Sequence, residues 1–342
     1  MIGTEFLKGQ GLGNQLFCYI SARCIAKDLG FEFGTAGQEQ LAINIHSKKG
    51  MYFMDMDLGE IVQDISAFHI YREKEERVFL NNSVHDMVHG CYVAGMDSDI
   101  YEIQDQTLIY GNLQAERYFL NHKQDIKKWL KVKDEYDSHE YTRENLCIIN
   151  MRGGEYAGDS ALFLRRKYWL NAMKNMRLER PDMEFMIVTD DIEAAKKVLP
   201  EVPAYHWELA KDYTTIKNAC YLILSNSTFA FFPAFTSDTV QKIIAPKYWA
   251  RHNVSDGYWS AEQNIYEGFT YQDKKGRLFT AEECRLELEK YKEDKRESTY
   301  KNMQPFGDKA VKRQAMKDRL LYYGDKFYYK IIDKITNKAE SV

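Results

Sequence analysis

The chain lacks a basic excess, paired cysteines and a long apolar run at its start. Its 342 residues carry 47 Lys/Arg against 51 Asp/Glu, a net charge of −4, which argues against a nucleic-acid-binding protein. The six cysteines are scattered without a C-x-x-C pair, which is typical of reduced, buried thiols in a cytosolic protein. A strand is predicted almost at Met1, so we expect no signal peptide there and a cytoplasmic location.

Patterns typical of hydrolases and metal sites are also scarce. No Ser-His-Asp or Cys-His arrangement can be read from the spacing of the residues. His85 and His89 are four residues apart and could bind zinc, but no further ligands accompany them. Asp190 and Asp191 follow a predicted strand, where paired carboxylates can hold a metal or Asp191 can cap the helix that it opens. We expect no metal.

Apolar runs that alternate with helical patterns predict an α/β protein with a parallel, doubly wound sheet. The predicted strands span residues 2–8, 107–111, 146–150, 184–189, 221–224 and 242–245, the last of these being the final strand. The predicted helices run to about Leu29 and span 114–132, 166–177, 192–199, 213–219 and 229–235. At 342 residues the chain is long enough for two domains, which we place at 1–140 and 145–285, followed by a basic, aromatic helical tail at 286–342.

The tail differs from the rest of the chain in charge. From Arg285 onward it has 15 Lys/Arg against 10 Asp/Glu, and aromatic residues alternate with lysines between Leu320 and Ile332. Such a segment could rest on an anionic membrane surface at the inner face of the membrane. It could equally form a C-terminal helix that packs back across the two domains.

A glycine loop follows the first predicted strand. Gly9, Gly11 and Gly13 resemble a dinucleotide fingerprint, although the third glycine falls one residue early and Asn14 takes its place. A dinucleotide site would also need an acidic residue at the end of the second strand, a position that Glu32 could fill. The glycines could instead serve a tight turn, or bring the backbone close to a polar ligand.

Two further segments place polar residues directly after buried strands. Arg152 follows the strand that ends at Asn150. A guanidinium at this position can bind a diphosphate through two hydrogen bonds, or it can form an ordinary surface ion pair. Glu155 could be a base or simply a solvated carboxylate. Four small polar residues, Ser225 to Thr228, follow the strand at 221–224, where they could bind phosphate oxygens or cap the next helix.

In their order along the chain, six segments resemble glycosyltransferase family 11, the α-1,2-fucosyltransferases of bacterial surface glycan synthesis. The matches cover about residues 9–250 and are G-L-G-N-Q-L-F at 11–17, G-N-L-Q-A-E-R-Y-F at 111–119, N-M-R-G-G-E-Y at 150–156, V-T-D-D-I at 188–192, N-S-T-F-A-F-F-P-A at 226–234 and I-A-P-K-Y-W at 244–249. The chain departs from the H-x-R-R-G-D-Y motif, since Asn150 replaces the histidine, Gly153 the second arginine and Glu155 the aspartate.

The resemblance implies two Rossmann-like domains of the GT-B type that face each other across a cleft, and an inverting, metal-independent sugar transfer. It implies that Arg152 stabilises the leaving diphosphate and that Asp212 contacts the guanine of a GDP-linked donor. The implied donor site comprises Asn150, Arg152, Asp190, Asp212, Ser225, Asn226, Ser227 and Thr228, and the implied acceptor side comprises Gly11, Gly13, Asn14, Gln15 and Gln114. Arg152 and Glu155 are the candidate catalytic residues.

The implied activity is transfer of fucose from GDP-fucose to an oligosaccharide or lipid-linked glycan during capsule or O-antigen synthesis. Because the motif is altered, two alternatives remain: a related transferase that uses another nucleotide sugar, and a binding module without catalysis. A third alternative, an oxidoreductase that binds a dinucleotide, depends on the glycine loop alone.

Overall fold

The computed structural model describes residues 1–45, 47–74, 76–78, 84–88, 91–93, 95–158, 162–248, 264–298 and 305–339. The described strands are β1 (Ile2–Glu5), β2 (Phe33–Ala36), β3 (Glu60–Ile61), β4 (His69–Arg72), β5 (Glu76–Val78), β6 (Cys91–Val93), β7 (Thr107–Tyr110), β8 (Leu146–Met151), β9 (Glu184–Thr189), β10 (Ala204–Tyr205), β11 (Tyr221–Leu224), β12 (Lys242–Pro246), β13 (Thr270–Gln272) and β14 (Leu278–Thr280). The described α-helices are α1 (Leu12–Leu29), α2 (Val84–Val88), α3 (Lys123–Trp129), α4 (Arg166–Glu179), α5 (Ile192–Val198), α6 (Leu209–Lys217), α7 (Phe231–Phe235), α8 (Ala281–Ser298) and α9 (Asp308–Ala339).

The first sheet is parallel and has the strand order β3-β2-β1-β7-β4. Helix α1 joins β1 to β2 and ends at Gly30, whose φ of 72° is the left-handed conformation that glycine adopts readily. Strands β1 and β2 lie so close at Gly3 that an added Cβ would lie 2.4 Å from the carbonyl oxygen of Gly34. This sheet presents the glycine loop at the amino end of α1.

The second sheet has the order β10-β9-β8-β11-β12-β13-β14 and is parallel except for β14. Side chains of β8 alternate between two buried clusters, with Leu146 and Ile148 on one face and Cys147 and Ile149 on the other. Both faces are therefore covered, as expected for a central parallel strand. The predicted α/β class with parallel sheets is confirmed.

One buried cluster extends from the first sheet to the second. Phe17 on α1 lies 4.8 Å, ring centre to ring centre, from both Phe231 and Phe232. The Tyr266 ring is tilted against Phe231, with ring centres 4.0 Å apart, and Phe119 also packs against Phe231 and Phe232. The aromatic residues of α1 and α7 thus join the two halves of the chain, while the predicted domain boundaries stay a prediction.

Two of the predicted elements outside the candidate site are wrong. The helix expected over 114–132 is two short 3-10 turns, Glu116–Tyr118 and Leu120–His122, before α3. The buried Glu73 carboxylate accepts hydrogen bonds from the amides of Asn112 and Leu113, just before this segment, at 2.8 and 2.9 Å. The strand at 242–245 is not the last one, because β13 and β14 extend the sheet beyond it.

The C-terminal helices return to the body of the protein, as one of the two interpretations of the tail predicted. Arg285 on α8 donates to the buried Glu116 carboxylate at 2.6 Å, and α9 contacts both α2 and α5. Five cysteines, Cys18, Cys24, Cys147, Cys220 and Cys284, are buried free thiols, as predicted, and Cys91 lies in β6. No helix in the described part of the chain is long and apolar enough to cross a bilayer.

Candidate active site at the carboxyl edge of the second sheet

Several of the predicted donor residues lie where the strand order of the second sheet reverses. From β8 the chain builds β9 and β10 on one side, then crosses over to place β11 on the other side of β8. The register pairs Asn150 with Val188 on one side and with Leu224 on the other. Arg152, Asp190 and Ser225, which follow these strands, therefore lie at the same edge, where open α/β sheets bind ligands.

Arg152 is held at this edge by two carboxylates. Its Nη1 forms an ion pair with Asp190 Oδ2 at 2.5 Å, and its Nη2 donates a hydrogen bond to Glu155 Oε1 at 3.1 Å. The guanidinium carbon lies 5.7 Å from the centre of the Tyr156 ring. Asp190 is largely buried and Glu155 is exposed. An incoming anion can displace Glu155 while Asp190 keeps the guanidinium in place, so the group is oriented before any ligand binds.

The geometry accounts for the missing second arginine. A Cβ at Gly153 would lie 2.6 Å from the Cβ of Asp191 and 3.3 Å from that of Ala194. The Gly153 amide donates to Asp190 Oδ1 at 2.7 Å. Residue 153 is therefore confined between Asp190 and α5, and a longer side chain would require Asp191 to move.

The two neighbouring aspartates have different roles. Asp191 caps α5, because its side chain accepts from the Ala194 amide at 2.9 Å. Of the two aspartates, Asp190 is the one that forms an ion pair with Arg152. The cap interpretation is thus confirmed for Asp191, and among the described residues no group of three or more His, Cys, Asp or Glu could hold a metal. His89 lies outside the described residues.

Ser225 to Thr228 form the turn after β11. The Ser225 amide donates to the Asn150 carbonyl oxygen at 2.9 Å, and its hydroxyl donates to Asn150 Oδ1 at 3.4 Å. Asn226 donates from Nδ2 to the Leu162 carbonyl oxygen at 2.9 Å, and Ser227 Oγ accepts from the Phe229 amide at 3.3 Å. The expected helix from 229 is a 3-10 turn followed by the five-residue α7, so helix-terminus binding of phosphate has little support here.

A small pocket opens beside this turn, with a volume of about 40 Å³. Its polar wall is Ser225 to Thr228, and its aromatic wall is Phe231, Tyr266, Phe269 and Tyr271. Sequence reasoning found the first wall but missed Tyr266, Phe269 and Tyr271, which come from the segment before β13 and from β13 itself. The pocket has room for a few water molecules.

Asp212 organises the loop after β10. It is buried, its Oδ2 accepts from His206 Nδ1 at 2.9 Å, and its Oδ1 accepts from the Trp207 amide at 3.0 Å. Trp207 is stacked between Tyr205 and Tyr141, at ring-centre distances of 5.0 and 5.4 Å. Both oxygens of Asp212 are thus bound within the chain, and its contact with guanine stays a prediction.

The Asp212 contact predicts a pH dependence. The hydrogen bond to Asp212 raises the pKa of His206 above its usual value of about 6.5. Its stabilisation is fully present below pH ~6.5 and is lost as the pH rises through the folded-state pKa. Because the imidazole is more than a third exposed, solvent screening keeps this contribution below about 1 kcal/mol.

An NMR titration of the His206 ring checks this expectation. The wild-type ring should titrate above pH ~6.5, and Asp212→Asn should shift that midpoint downward. A wild-type midpoint at or below the usual value would contradict the prediction. Urea unfolding of wild type and His206→Gln should show a larger difference in unfolding free energy at acidic than at alkaline pH.

The predicted acceptor residues of the first half differ in exposure. Gln15 is fully buried, its Oε1 accepting from the Ala42 amide at 2.8 Å and its Nε2 donating to the Gln40 carbonyl oxygen at 2.9 Å. It therefore fixes the 40–42 loop and does not line an open surface. Asn14 Oδ1 accepts from Gln114 Nε2 at 3.2 Å, which brings these two side chains together. Gly11 faces open space.

Gly13 lies against the donor-side turn. A Cβ there would lie 2.4 Å from the carbonyl carbon of Thr228 and 2.6 Å from the Phe229 nitrogen. The glycine is therefore required by the close approach of α1 to the turn after β11. Glu32 lies directly before β2, not at its carboxyl end, so the acidic residue of a dinucleotide site is missing from the position where it was expected.

Comparison with known proteins gives one match in sequence and several in structure. No family model matches the chain. It is 25% identical over 158 residues to an alpha-1,2-colitosyltransferase of Escherichia coli, a match that spans 41% of this chain and about half (54%) of the relative. The predicted resemblance to a glycosyltransferase is confirmed at this level.

Solved structures resemble the chain only loosely. The fucosyltransferase NodZ from Bradyrhizobium is 11% identical, with a TM-score of 0.42 over 71% of this chain and 94% of that one. POFUT1 in complex with GDP-fucose is 9% identical, with a TM-score of 0.41 over 71% of this chain and 97% of that one.

Proposed function

We propose that this chain is an inverting glycosyltransferase that transfers fucose, or a closely related sugar, from a GDP-linked donor to a glycan acceptor. The observation that carries the proposal is Arg152, oriented by Asp190 at the switch point of a parallel sheet and beside the Ser225 to Thr228 turn. A departing nucleoside diphosphate needs such a cation, because its negative charge grows as the glycosidic bond breaks.

In the proposed reaction an acceptor hydroxyl attacks the anomeric carbon from the face opposite the diphosphate. The bond to the diphosphate breaks, GDP leaves with the electron pair, and the acceptor proton passes to a base. A β-linked GDP-fucose then gives an α-linked product. Glu155 is the candidate base, since its exposed carboxylate lies beside Arg152 and is released when phosphate replaces it.

The first half of the chain would bind the acceptor. Asn14 and Gln114 form a polar pair near the amino end of α1, and Gly13 brings that end against Thr228. Amide side chains suit sugar hydroxyls because each offers both a donor and an acceptor. We place the reaction in the cytoplasm, in the synthesis of a capsule or O-antigen unit on an oligosaccharide or lipid-linked acceptor.

The altered motif favours one alternative, a donor sugar other than fucose. Asn150 and Gly153 stand where the family motif has a histidine and an arginine, and the relative in Escherichia coli is named for the transfer of colitose. The same replacements would also suit a module that binds the donor without turning it over.

A thermal-shift panel tests the proposal. The ligands are GDP, GDP-fucose, GDP-colitose, a UDP-sugar and NAD. A ligand at ~100 times its dissociation constant adds about 2.7 kcal/mol to the unfolding free energy, so we expect GDP and one GDP-sugar to raise the melting temperature. No response to any GDP compound would reject the proposed donor, and a response to NAD alone would favour the oxidoreductase alternative.

A further inference from the structure

Helix α9 exposes an apolar stripe along its outer side. Five residues form this outer stripe, with exposed fractions of 66% for Met316, 66% for Leu320, 52% for Tyr323, 67% for Phe327 and 42% for Ile331. Their spacing of three and four residues places them on one face of an α-helix. Large apolar side chains that share one exposed face commonly mark an interaction surface.

The opposite face of α9 holds the helix to the protein. Gln314 is buried and donates to Asp318 Oδ1 at 2.8 Å, and Asp318 Oδ2 accepts from the Val84 amide at 3.0 Å. At about 100° per residue, Gln314 and Asp318 each lie about 160° around the helix from Met316. The outer stripe therefore points away from the body, and its exposure is a consequence of how α9 is attached.

Basic residues flank the outer stripe. The exposed cations among the described side chains of α9 are Lys309, Lys312, Arg313, Lys317, Arg319, Lys326 and Lys330. Of the acidic side chains described on this helix, Asp308 is at its first residue and Asp318 faces the body. The outer face thus combines apolar and aromatic side chains with positive charge.

We propose that α9 docks the protein on an anionic lipid surface, with the outer stripe inserted among the headgroups and the flanking cations against the lipid phosphates. Aromatic and aliphatic side chains bordered by lysines are what interfacial helices use. A second copy of the chain fits less well, because joining two stripes would bring two sets of cations together. This inference does not depend on the proposed sugar transfer.

Vesicle co-sedimentation of the full chain tests the proposal. Vesicles of phosphatidylcholine with phosphatidylglycerol should bind the protein, pure phosphatidylcholine should bind it far less, and added salt should release it. Phe327→Glu should weaken binding at least about tenfold, since it removes an apolar anchor and adds a repelled charge. Leu178→Glu is the matched control, because Leu178 is 75% exposed on α4, a different helix, and should leave binding unchanged.

Light scattering without lipid tests whether a second copy of the chain covers the outer stripe instead. A monomer that binds only anionic vesicles supports the proposal. A dimer that Phe327→Glu converts to a monomer, with no binding to vesicles, would overturn it in favour of a second copy. Equal binding to both kinds of vesicle, or full binding by Phe327→Glu with an unchanged melting temperature, would overturn it as well.

Discussion

Replacing Arg152 with alanine is expected to lower kcat with the GDP-linked donor on the order of 10²- to 10³-fold, the usual cost of losing one charge-stabilising donor. The guanidinium lies at the carboxyl edge of β8 and is oriented by Asp190 at 2.5 Å. Its interaction strengthens as charge develops on the leaving diphosphate, so the loss should appear mainly in kcat. Release of GDP from the donor, followed over time, measures it.

Two variants make this test specific. Arg143→Ala removes an arginine at the other end of β8, where it pairs with Glu184 at 3.2 Å, and should leave kcat unchanged. Arg152→Ala also leaves the Asp190 carboxylate without its cation, so the double variant Arg152→Ala/Asp190→Asn should recover stability but not activity. If Arg152→Ala turns over as fast as the wild type, the proposed role of this residue is wrong.

The second large effect is expected at Gly13. In Gly13→Ala the new Cβ would lie 2.4 Å from the Thr228 carbonyl carbon, and backbone atoms cannot rotate aside as a side chain can. We expect the unfolding free energy to fall by about 3 kcal/mol, at the upper end of the usual cost of overpacking. Displacement of Thr228 should also lower activity. Urea unfolding and the GDP-release assay measure the two effects.

Gly11→Ala is the matched control for Gly13→Ala. Gly11 has φ of −64°, and no atom lies within 4 Å of the position of an added Cβ. Its unfolding free energy should stay within about 1 kcal/mol of the wild type. Equal stability of the two variants would show that α1 does not press on the turn after β11.

The second half of the chain was the more predictable half. β8, β9 and β11 are apolar strands buried on both faces, and their sequence alone indicates their length and order. Parallel strands end at a common edge, so the proximity of Arg152, Asp190 and Ser225 followed from topology. The two-residue β10 and the three-residue β13 and β14 have too few residues for a periodic signal.

Other features depend on partners distant in sequence. The segment just before the helix expected from 114 is fixed by a distant partner, since the amides of Asn112 and Leu113 bind Glu73, about 40 residues earlier, and Leu113 has a φ of 50°. Gln15 belongs to a conspicuous motif, yet its amide holds the 40–42 loop. Tyr266 and Phe269 of the aromatic wall pack on Phe231. These residues are more than 30 positions apart, so no local sequence pattern predicts the contact.

The aromatic contacts between α1 and α7 restrict how the protein can open. A hinge that separated the two sheets would expose Phe17, Phe231 and Phe232, which are nearly fully buried. Each ring buries on the order of 150 Å², so at about 25 cal/mol per Å² its exposure costs ~4 kcal/mol. A wide hinge motion would therefore be rare. We expect nucleotide entry and product release to proceed through local movement of the turns after β8 and β11.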